Sequence, residues 1–491
     1  MDSISTAILL LLLVLTCLFL TLSSRGKGRL PPGPRPLPIL GNLLQLNSQN
    51  IVTSLTKLSK EYGSVYTVHL GTRQVVVLSG YQTVKEALVD KGEEFSGRGS
   101  YPAIFNFTKG NGIAFSNGER WKVLRKFSIQ TLRNFGMGKR SIEEQILDES
   151  SFLLAELQKT AGEPFDPKFV LGRSVCNIIC SVIFGSRFDY NDERLLAIIH
   201  LLNDNFQILS SPWGKWYNLF PSLLDWVPGP HRRLSQNFRR LKDLIAQSVR
   251  DHQASLDPNS PRDFIDCFLT KIAQEKQDPL SHFHIDTLLM TTYNLLFGGT
   301  QTLGTTLRYA FLVLMKYPEV QARVQEEIDR VVGRARLPAV RDRVAMPYTD
   351  AVIHEVQRFA DVLPMSLPHR VTQDTTFRGF LIPKGTDIIT LLNTVHKDPT
   401  QFLNPQEFNP ERFLDANQSL KTSPAFMPFS AGRRQCLGES LARMELFLYL
   451  TNILQSFSLQ PLGAPEDIDL TPCFSGLGNL PPPFQLCMRA R

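Results

Sequence analysis

The sequence predicts a mainly α-helical protein with a minor β lobe, preceded by one N-terminal transmembrane helix. Ile4–Leu22 carries no charge over 19 residues, which is long enough to span the roughly 30 Å of a bilayer core. Residues from about 80 to 360 show mainly helical periodicity. Short β-like segments lie near 65–78, Phe377–Ile389 and Phe484–Met488. The fold class follows from these three observations.

The N-terminal apolar segment is predicted to be a retained signal-anchor. Asp2 precedes it, whereas Arg25, Lys27 and Arg29 follow it. A cleaved signal peptide, the alternative, would carry a basic region before a shorter apolar core. By the positive-inside rule, the chain after the anchor stays in the cytosol. The chain then divides into three parts: an anchor at 1–24, a basic and proline-rich hinge at 25–40, and a globular domain at 41–491.

The segment after the anchor begins with Pro31-Pro32-Gly33-Pro34. Such a segment is stiff and cannot continue a helix. It is interpreted as a rigid spacer, with a ligand for a signalling domain as the alternative. Next come Val65–Leu70 and Gln74–Leu78, joined by a short glycine-containing turn, which predict a β-hairpin.

Composition narrows the class of partner and the compartment. The net charge is +7, which is compatible with an anionic membrane, an acidic protein or nucleic acid. No zinc-finger spacing or long basic run occurs, so nucleic acid is not expected. The seven cysteines contain no CxxC pair, which favours a reducing compartment over a disulfide framework.

The segment Phe429–Gly438, FSAGRRQCLG, carries the most informative signal. Glycines let the backbone pass close to a flat group. The predicted helix Glu439–Leu450 follows, and a helix N-terminus with nearby cations lowers a thiol pKa, so Cys436 is expected to be a metal-ligating thiolate. A buried structural cysteine is the alternative. However, all five fixed positions of Phe-x-x-Gly-x-Arg-x-Cys-x-Gly are filled, and the segment resembles the haem-thiolate signature of the cytochrome P-450 monooxygenases.

Two further motifs support this resemblance. Glu355 and Arg358 lie three residues apart in a predicted helix that begins near Pro347, so they share one face and can pair. Asn409–Phe413, NPERF, follows about fifty residues later. Together these motifs are similar to the structural Glu-Arg-Arg network of the family, which implies a supporting role rather than a catalytic one.

The apolar helical run Ile285–Leu314 contains the letters LLFGGTQTLGTT. Gly298 and Gly299 each cost about 1 kcal/mol relative to alanine in a helix, which indicates that another group approaches the backbone; a helix–helix contact is the alternative. The stretch resembles the oxygen-binding segment of the family, which implies catalytic roles for Thr302 and Gln301. The family usually has an acid before the threonine, and glutamine can hold a water but cannot act as an acid.

The resemblance also implies two sets of binding residues. Trp121 and Arg125 are four apart on one helix face and could bind a carboxylate together, with an amphipathic surface helix as the alternative. By resemblance, the residues that match the haem-propionate set are Arg98, Trp121, Arg125, His369 and Arg434. The residues that match substrate-recognition segments carry no charge, which favours a neutral hydrophobic substrate: Phe107, Ile113, Phe115, Phe206, Phe297, Gly298, Leu363, Met365, Leu367 and Leu477.

The resemblance covers essentially the whole chain and is closest to mammalian microsomal family 2, F subfamily. It implies haem b ligated by Cys436, with O2 and a small aromatic substrate such as naphthalene giving arene epoxides. Electrons would come from NADPH through NADPH-cytochrome P-450 reductase, with cytochrome b5 as an alternative donor of the second. It further implies membrane lipid as a partner and the cytosolic face of the endoplasmic reticulum as the location.

The sequence leaves open two alternative functions and the roles of two segments. The chain could be a haem-thiolate isomerase or dehydratase that acts on peroxides without a reductase, or a haem-binding protein without turnover. The basic stretch 120–140 could dock an acidic flavoprotein or be an ordinary solvated face. Trp213, Trp216 and Trp226 could form a core cluster or a second, shallow membrane contact.

Overall fold

The computed structural model describes residues 11–16, 30–47, 50–138 and 140–491. The architecture is mainly helical. Its helices are α1 Ile51–Tyr62, α2 Tyr81–Lys85, α3 Pro102–Thr108, α4 Gly118–Asn134, α5 Arg140–Gln158, α6 Lys168–Phe184, α7 Glu193–Ser210, α8 Pro212–Leu219, α9 Pro221–Leu224, α10 Pro230–Ser255, α11 Phe264–Gln274, α12 Ile285–Lys316, α13 Pro318–Val331, α14 Pro347–Ala360, α15 Leu392–His396 and α16 Glu439–Ser456.

The β structure forms a separate lobe and several small ribbons. The main sheet has five strands in the order β1-β2-β7-β4-β3, antiparallel except for the parallel pair β2–β7. Two-stranded sheets are formed by β9 with β10, β8 with β11, and β5 with β6. The strands are β1 Val65–Leu70, β2 Arg73–Ser79, β3 Gly97–Arg98, β4 His369–Arg370, β5 Thr375–Phe377, β6 Phe380–Ile382, β7 Asp387–Leu391, β8 Phe457–Pro461, β9 Phe474–Ser475, β10 Asn479–Leu480 and β11 Leu486–Ala490.

The predicted hairpin is confirmed: β1 pairs with β2 from Val65 opposite Leu78 to Leu70 opposite Arg73. The proline-rich segment is packed against it. The carbonyl groups of Pro31 and Pro32 accept hydrogen bonds from the side chain and the amide of Thr67, both at 2.8 Å. The Asn42 side chain accepts from the His69 amide at 2.7 Å. The segment from residue 31 to 42 is therefore held on the sheet, so the predicted boundary at residue 41 falls inside the folded part.

The predicted central helix is confirmed as α12, two residues longer at its C-terminus than the predicted run. The His284 side chain accepts a hydrogen bond from the Thr287 amide at 3.3 Å and caps its start. Its apolar residues are buried on several sides because α6, α10, α14 and α16 all pack against it. This helix places the glycine-threonine segment inside the protein.

Other helix predictions agree in type and differ at their ends. The predicted stretches Ser141–Leu157 and Gln321–Val332 correspond to α5 and α13. The helix predicted at Glu439–Leu450 continues to Ser456. It does so because residues 451–455, polar ones included, are buried, so the burial that stabilises the helix extends past the last obvious apolar run.

The predicted anchor lies mostly outside the described residues, as do Asp2, Arg25, Lys27 and Arg29. Leu11–Thr16 is described and is helical, with its apolar side chains exposed. Within the ranges that the structure describes, no helix combines the length and the apolar character needed to cross a bilayer.

A buried ion network holds α14 to the segment after it. Arg358 and Glu355 are fully buried and joined by two hydrogen bonds of 2.7 Å. Arg412 donates to Glu355 at 3.0 Å, and the Asn409 amide does so at 2.9 Å. This geometry confirms the pairing predicted from the two motifs, and it locks residues about fifty apart into one cluster.

We predict that Glu355→Gln lowers the free energy of unfolding by about 3–5 kcal/mol, because it leaves a buried guanidinium without its counter-charge. Urea unfolding followed by circular dichroism would measure this. The control is Arg323→Gln, which breaks the partly exposed pair with Glu411 and should cost less than about 1 kcal/mol. Equal effects of the two changes would contradict the assignment of the network as structural.

Candidate functional site

The cysteine segment folds into a tight loop in front of α16. The Cys436 amide donates to the Phe429 carbonyl at 2.9 Å, which closes the loop. Gly432 has φ +71°, and a Cβ there would lie 1.7 Å from the Leu88 carbonyl oxygen. Glycine is therefore required at position 432 both by its backbone angle and by the close approach of a second segment. All six described cysteines are free, and the side chain of Cys436 is accessible.

The expected low thiol pKa is wrong for this chain taken alone. Although the Cys436 side chain is accessible, protein surrounds it closely, and this desolvation raises its pKa above the ordinary value. The Gly438 amide and Arg125 oppose the rise, while the Glu439 carboxylate adds to it. The prediction of a low thiol pKa was based on the nearby cations and the helix N-terminus, whereas the burial of the sulfur cannot be read from the sequence. A coordinating metal deprotonates a thiol outright, so the residue still suits a metal ligand.

Arg98 is buried beside the loop that precedes α4. Its Nε donates to the Ala114 carbonyl at 2.9 Å, and its Nη1 donates to the Leu367 carbonyl at 3.2 Å. The Asn117 side chain accepts from the Arg98 amide at 2.6 Å. Asn117 was not predicted: it stands at the start of α4, where asparagine usually caps a helix, yet its side chain makes no capping bond.

Arg434 reaches the same place from the cysteine loop. Its Nε donates to the Ser96 carbonyl at 2.7 Å and its Nη2 to the Ser116 carbonyl at 2.9 Å. Its guanidinium lies over the Trp121 ring, 3.7 Å from the ring centre. Arg125, one turn further along α4, donates to the Gln435 carbonyl at 2.6 Å. The fold thus brings four of the five predicted propionate residues onto one cluster.

His369 completes the cluster through sheet register. It lies on β4 directly opposite Arg98 on β3, and its Nδ1 is 2.9 Å from the Phe95 carbonyl, which makes Nδ1 the protonated nitrogen. Among the residues that the structure describes, three buried polar atoms in the cluster find no hydrogen-bond partner: Trp121 Nε1, His369 Nε2 and Arg434 Nη1. Buried polar groups normally have partners, so these atoms indicate a ligand with several acceptor oxygens.

The electrostatics of the cluster give the same indication. Burial and the neighbouring arginines lower the pKa of Arg98 to about 9 and that of Arg434 to about 8. Burial, Arg98 and Arg434 lower the pKa of His369 to about 3. Within the described part of the chain, the charges that act on Arg98 and Arg434 are all positive. A ligand with two carboxylates, such as haem, fits this donor set.

The two central glycines have different roles. A Cβ on Gly298 would meet nothing within 4 Å, whereas a Cβ on Gly299 would lie 3.0 Å from Cγ1 of Ile179. Gly298 therefore leaves space beside the helix, and Gly299 makes the helix–helix contact with α6. The Thr302 hydroxyl donates to the Gly298 carbonyl at 2.8 Å, and Gln301 is buried. The helix-contact interpretation is confirmed at Gly299, and the approach of another group at Gly298 stays a prediction.

Three predicted substrate residues belong to one aromatic cluster. Phe107 and Phe297 each contact Tyr293, at 5.5 and 5.9 Å between ring centres. Phe107 also stacks on Phe238 at 4.3 Å, and Phe206 meets Phe297 edge-on at 5.6 Å. Tyr293 and Phe238 were missed, because their helical spacing indicates only that they face the core. The cluster is uncharged and joins α3, α7, α10 and α12.

The remaining predicted substrate residues separate into two groups. Phe115 contacts Tyr101 at 6.2 Å, and like Ile113 and Leu367 it packs with the main core; Leu363 is half-buried. Met365 instead packs toward the hairpin, and with Leu477 it lines a separate cavity of about 120 Å³. The chain turns at 363–366, where the Ser366 amide donates to the Leu363 carbonyl at 3.0 Å and Ser366 has φ +54°, so Leu363, Met365 and Leu367 do not share one face as they would in a strand. The sequence pattern alone does not show this turn.

The outer side of α4 forms an open basic cleft of about 700 Å³. Lys122 and Arg433 both pair with Glu93, at 3.6 and 3.2 Å, and Glu93 is the one acid among the described residues that line the cleft. Lys126 and Arg133 also line the cleft and are exposed. Lys139, part of the predicted basic stretch, lies outside the described residues. The cleft carries more positive than negative charge.

The tryptophan residues of the segment 213–226 have different environments. Trp213 is stacked on His231, at 6.0 Å between ring centres, and its Nε1 donates to that imidazole. Trp226 and Leu223, by contrast, are 86% and 64% exposed. The contacts of Trp213 fit the core interpretation. The exposure of Trp226 and Leu223 fits an interface with an apolar partner.

The comparisons with known proteins agree with this geometry. Residues 31–488 match the family described as Cytochrome P-450. The chain is 83% identical to cytochrome P-450 2F1 of Homo sapiens and 80% identical to cytochrome P-450 2F3 of Capra hircus, in each case over 100% of both chains. It is 54% identical to cytochrome P-450 2C23 of Rattus norvegicus over 95% of this chain and 94% of that one.

We predict opposite effects of alanine at the two adjacent glycines. Gly298→Ala should raise the free energy of unfolding by up to about 1 kcal/mol, because helix propensity improves and nothing is displaced. Gly299→Ala should lower it by about 1–3 kcal/mol, because Ile179 must move. Thermal unfolding of both variants measures the difference.

The pair Gly299→Ala with Ile179→Ala supplies the control for this explanation. The double variant should be less destabilised than the sum of the two single variants, since the added methyl group then occupies vacated space. Strict additivity would show that the contact with Ile179 does not limit position 299.

Proposed function

The chain belongs to the cytochrome P-450 family, as a family 2 member close to subfamily F, and is a haem-thiolate monooxygenase; we propose that it oxidises small, neutral, hydrophobic and mainly aromatic substrates with electrons from NADPH. The observation that carries the site assignment is the convergence of Arg98, Arg434 and His369, uncompensated by any acid among the described residues, near an accessible Cys436. This donor set suits a dianionic, planar, iron-containing cofactor.

We assign the haem-binding roles residue by residue. Cys436 would supply the axial sulfur, while the propionates would be held by Arg98, Trp121, Arg125, His369 and Arg434. Because Nδ1 of His369 already donates to Phe95, a propionate at Nε2 would require a second proton on the ring and would raise its pKa. A haem with a cysteine ligand supplies O2 activation with cleavage of the O–O bond.

Thr302 and Gln301 are proposed to deliver protons to the reacting oxygen. Thr302 lies beside the open position at Gly298. Its hydroxyl oxygen can accept a hydrogen bond from a water even while it donates to the helix carbonyl. The Gln301 amide can position that water but cannot supply the proton. The proton must then originate in solvent and pass along hydroxyl groups and water.

The substrate class follows from the aromatic cluster. Phe107, Phe206 and Phe297, with Tyr293 and Phe238, present ring faces and edges and no charge. Such surfaces bind aromatic molecules through offset and edge-on contacts. Kinship with the F subfamily supports small arenes such as naphthalene, with an arene epoxide as the product.

The basic cleft on α4 supports an acidic electron-transfer partner. We propose NADPH-cytochrome P-450 reductase, with cytochrome b5 as an alternative donor of the second electron. Lys126 and Arg133 are exposed there, and charges of one sign steer a partner of the opposite sign. A peroxide isomerase or dehydratase would need no such surface, so the cleft favours the reductase-dependent enzyme.

We further propose a membrane location on the cytosolic face of the endoplasmic reticulum. The uncharged run Ile4–Leu22 and the cations after it support a single anchor. The exposed Trp226 and Leu223 support a second contact with lipid, since tryptophan favours the headgroup region. Protease protection of intact microsomes would test the orientation.

The ligand assignment is tested by the ferrous–carbon monoxide difference spectrum. Cys436→Ser and Cys436→His should both lose the red-shifted Soret band that a thiolate ligand produces, and they should lose monooxygenation with it. Cys473→Ser, which changes another accessible cysteine, is the matched control and should keep both. A wild-type spectrum in Cys436→Ser would refute the assignment.

Proton delivery is tested by coupling. Thr302→Ala should increase peroxide released per NADPH oxidised and lower the yield of product, because protons then arrive late. Gln301→Glu, which introduces an acid, should improve coupling or leave it unchanged. The measurement is the product-to-NADPH ratio with one small arene. If Thr302→Ala couples as well as wild type, the proton reaches the oxygen by another path.

A further inference from the structure

A charge pair lies directly after the cysteine loop, on the first two turns of α16. Glu439 and Arg443 are joined by a 2.9 Å hydrogen bond from Arg443 Nε to Glu439 Oε1. The other carboxylate oxygen of Glu439 accepts from the Gln435 side chain at 2.6 Å. Gln435 is the residue before Cys436. The pair is thus connected to the loop by a short hydrogen-bonded chain.

Arg443 is also fixed against the opposite end of the loop. Its guanidinium carbon is 5.0 Å from the ring centre of Phe429 and 5.8 Å from that of Phe426. Phe429 is the residue whose carbonyl group accepts the Cys436 amide hydrogen bond. Arg443 therefore bridges the two residues, Phe429 and Glu439, that flank the cysteine loop.

His354 on α14 holds Arg443 from a third direction. The His354 Nδ1 faces two acceptors, the Asp350 carbonyl at 2.7 Å and the Asp350 carboxylate at 3.2 Å. Nδ1 must therefore carry the proton, which leaves Nε2 with its lone pair toward Arg443 Nη1 at 3.5 Å. This arrangement keeps the guanidinium in place without adding another negative charge beside it.

Glu439 acts electrostatically on the cysteine sulfur. Its carboxylate disfavours negative charge on Cys436. The Glu439 and Arg443 side chains are 25% and 27% exposed, so water screens them only in part. Arg443 places an opposite charge 2.9 Å from this carboxylate. The net field at the sulfur therefore depends on whether both members of the pair are charged.

We propose that the Glu439–Arg443 pair sets the reduction potential of the iron held by Cys436, with Arg443 as the positioning residue that neutralises Glu439. This inference rests on the ligand role of Cys436 proposed above. Groups in the outer shell and net charge near a metal tune its redox potential. A bare carboxylate near the sulfur would favour the ferric state, and its removal would favour the ferrous state. Neither residue needs to touch the reacting atoms.

The test is an equilibrium redox titration with small-molecule mediators and no protein partner, so that docking plays no part. Arg443→Gln should move the ferric–ferrous potential to more negative values, and Glu439→Gln should move it to more positive values. Each shift should change the ferric-to-ferrous ratio by up to roughly tenfold, which is about 59 mV for a one-electron couple. Arg443→Lys, which keeps the charge, should stay close to wild type.

The double variant separates charge from structure. Arg443→Gln combined with Glu439→Gln should return the potential close to wild type, since the pair is neutral in both proteins. Arg334→Gln is the matched control: Arg334 is 50% exposed and paired with Asp329, and its loss should leave the potential unchanged. If Arg443→Gln fails to fold, Glu439→Gln should still shift the potential to more positive values while Arg443→Lys leaves it near wild type, and a failure of either expectation would contradict the inference.

The outcomes distinguish this inference from the function on which it rests. The red-shifted carbonyl band is recorded for each protein before titration. If the band is present and the potentials of Arg443→Gln and Glu439→Gln are unchanged, or shift in the same direction, the charge-pair inference is overturned. If wild type lacks the band, the ligand role of Cys436 fails instead, and this inference fails with it.

Discussion

The convergence of buried basic side chains is the constraint on which the rest of the site depends. Arg98 and His369 face each other across β3 and β4, while Arg434 arrives from the cysteine loop and meets Trp121 of α4. Burying an ion costs several kcal/mol unless it is compensated. The pKa values of about 9 for Arg98 and about 8 for Arg434 lie below those of the unfolded chain. The cost of burying these two charged guanidinium groups opposes folding fully at every pH below their folded-state pKa values. The cost decreases as the pH rises from those values toward the pKa values of the unfolded chain. Bound carboxylates would offset it, so cofactor binding and folding stability are linked.

Residue types and motifs predict which side chains come together here better than they predict the charge state of those side chains. Helical spacing predicts the pair of Glu355 with Arg358, and the family resemblance adds Arg412; the structure confirms both contacts. The predicted lowering of the Cys436 pKa was wrong. The direction of the shift depends on how closely protein atoms surround the sulfur, and a linear motif does not contain that information. Asn117 was missed for a related reason. Its position predicts a helix cap, whereas its side chain instead bonds the Arg98 amide.

Residues that the sequence groups into one motif can have different roles in the structure. Gly298 and Gly299 are about 100° apart around α12, so one opens space and the other contacts Ile179. Trp213 and Trp226 share a segment, but only the first is stacked on another ring, while the second is 86% exposed. In each case composition identified the segment, and only the three-dimensional direction of each side chain decided its role.

Charge and aromatic surface come from different elements of the fold. The cations belong to α4, the β3–β4 pair and the cysteine loop, whereas the aromatic cluster belongs to α3, α7, α10 and α12. The side chains that form that cluster carry no carboxyl group, so the substrate surface proposed above would offer no carboxylic acid as a proton source. The Thr302 hydroxyl donates its hydrogen bond to the Gly298 carbonyl. It must break that hydrogen bond before it can donate to another group. The glutamine beside it cannot replace that proton. The proton transfer proposed along α12 is therefore the step that would depend most on the glutamine at position 301, where the family usually has an acid.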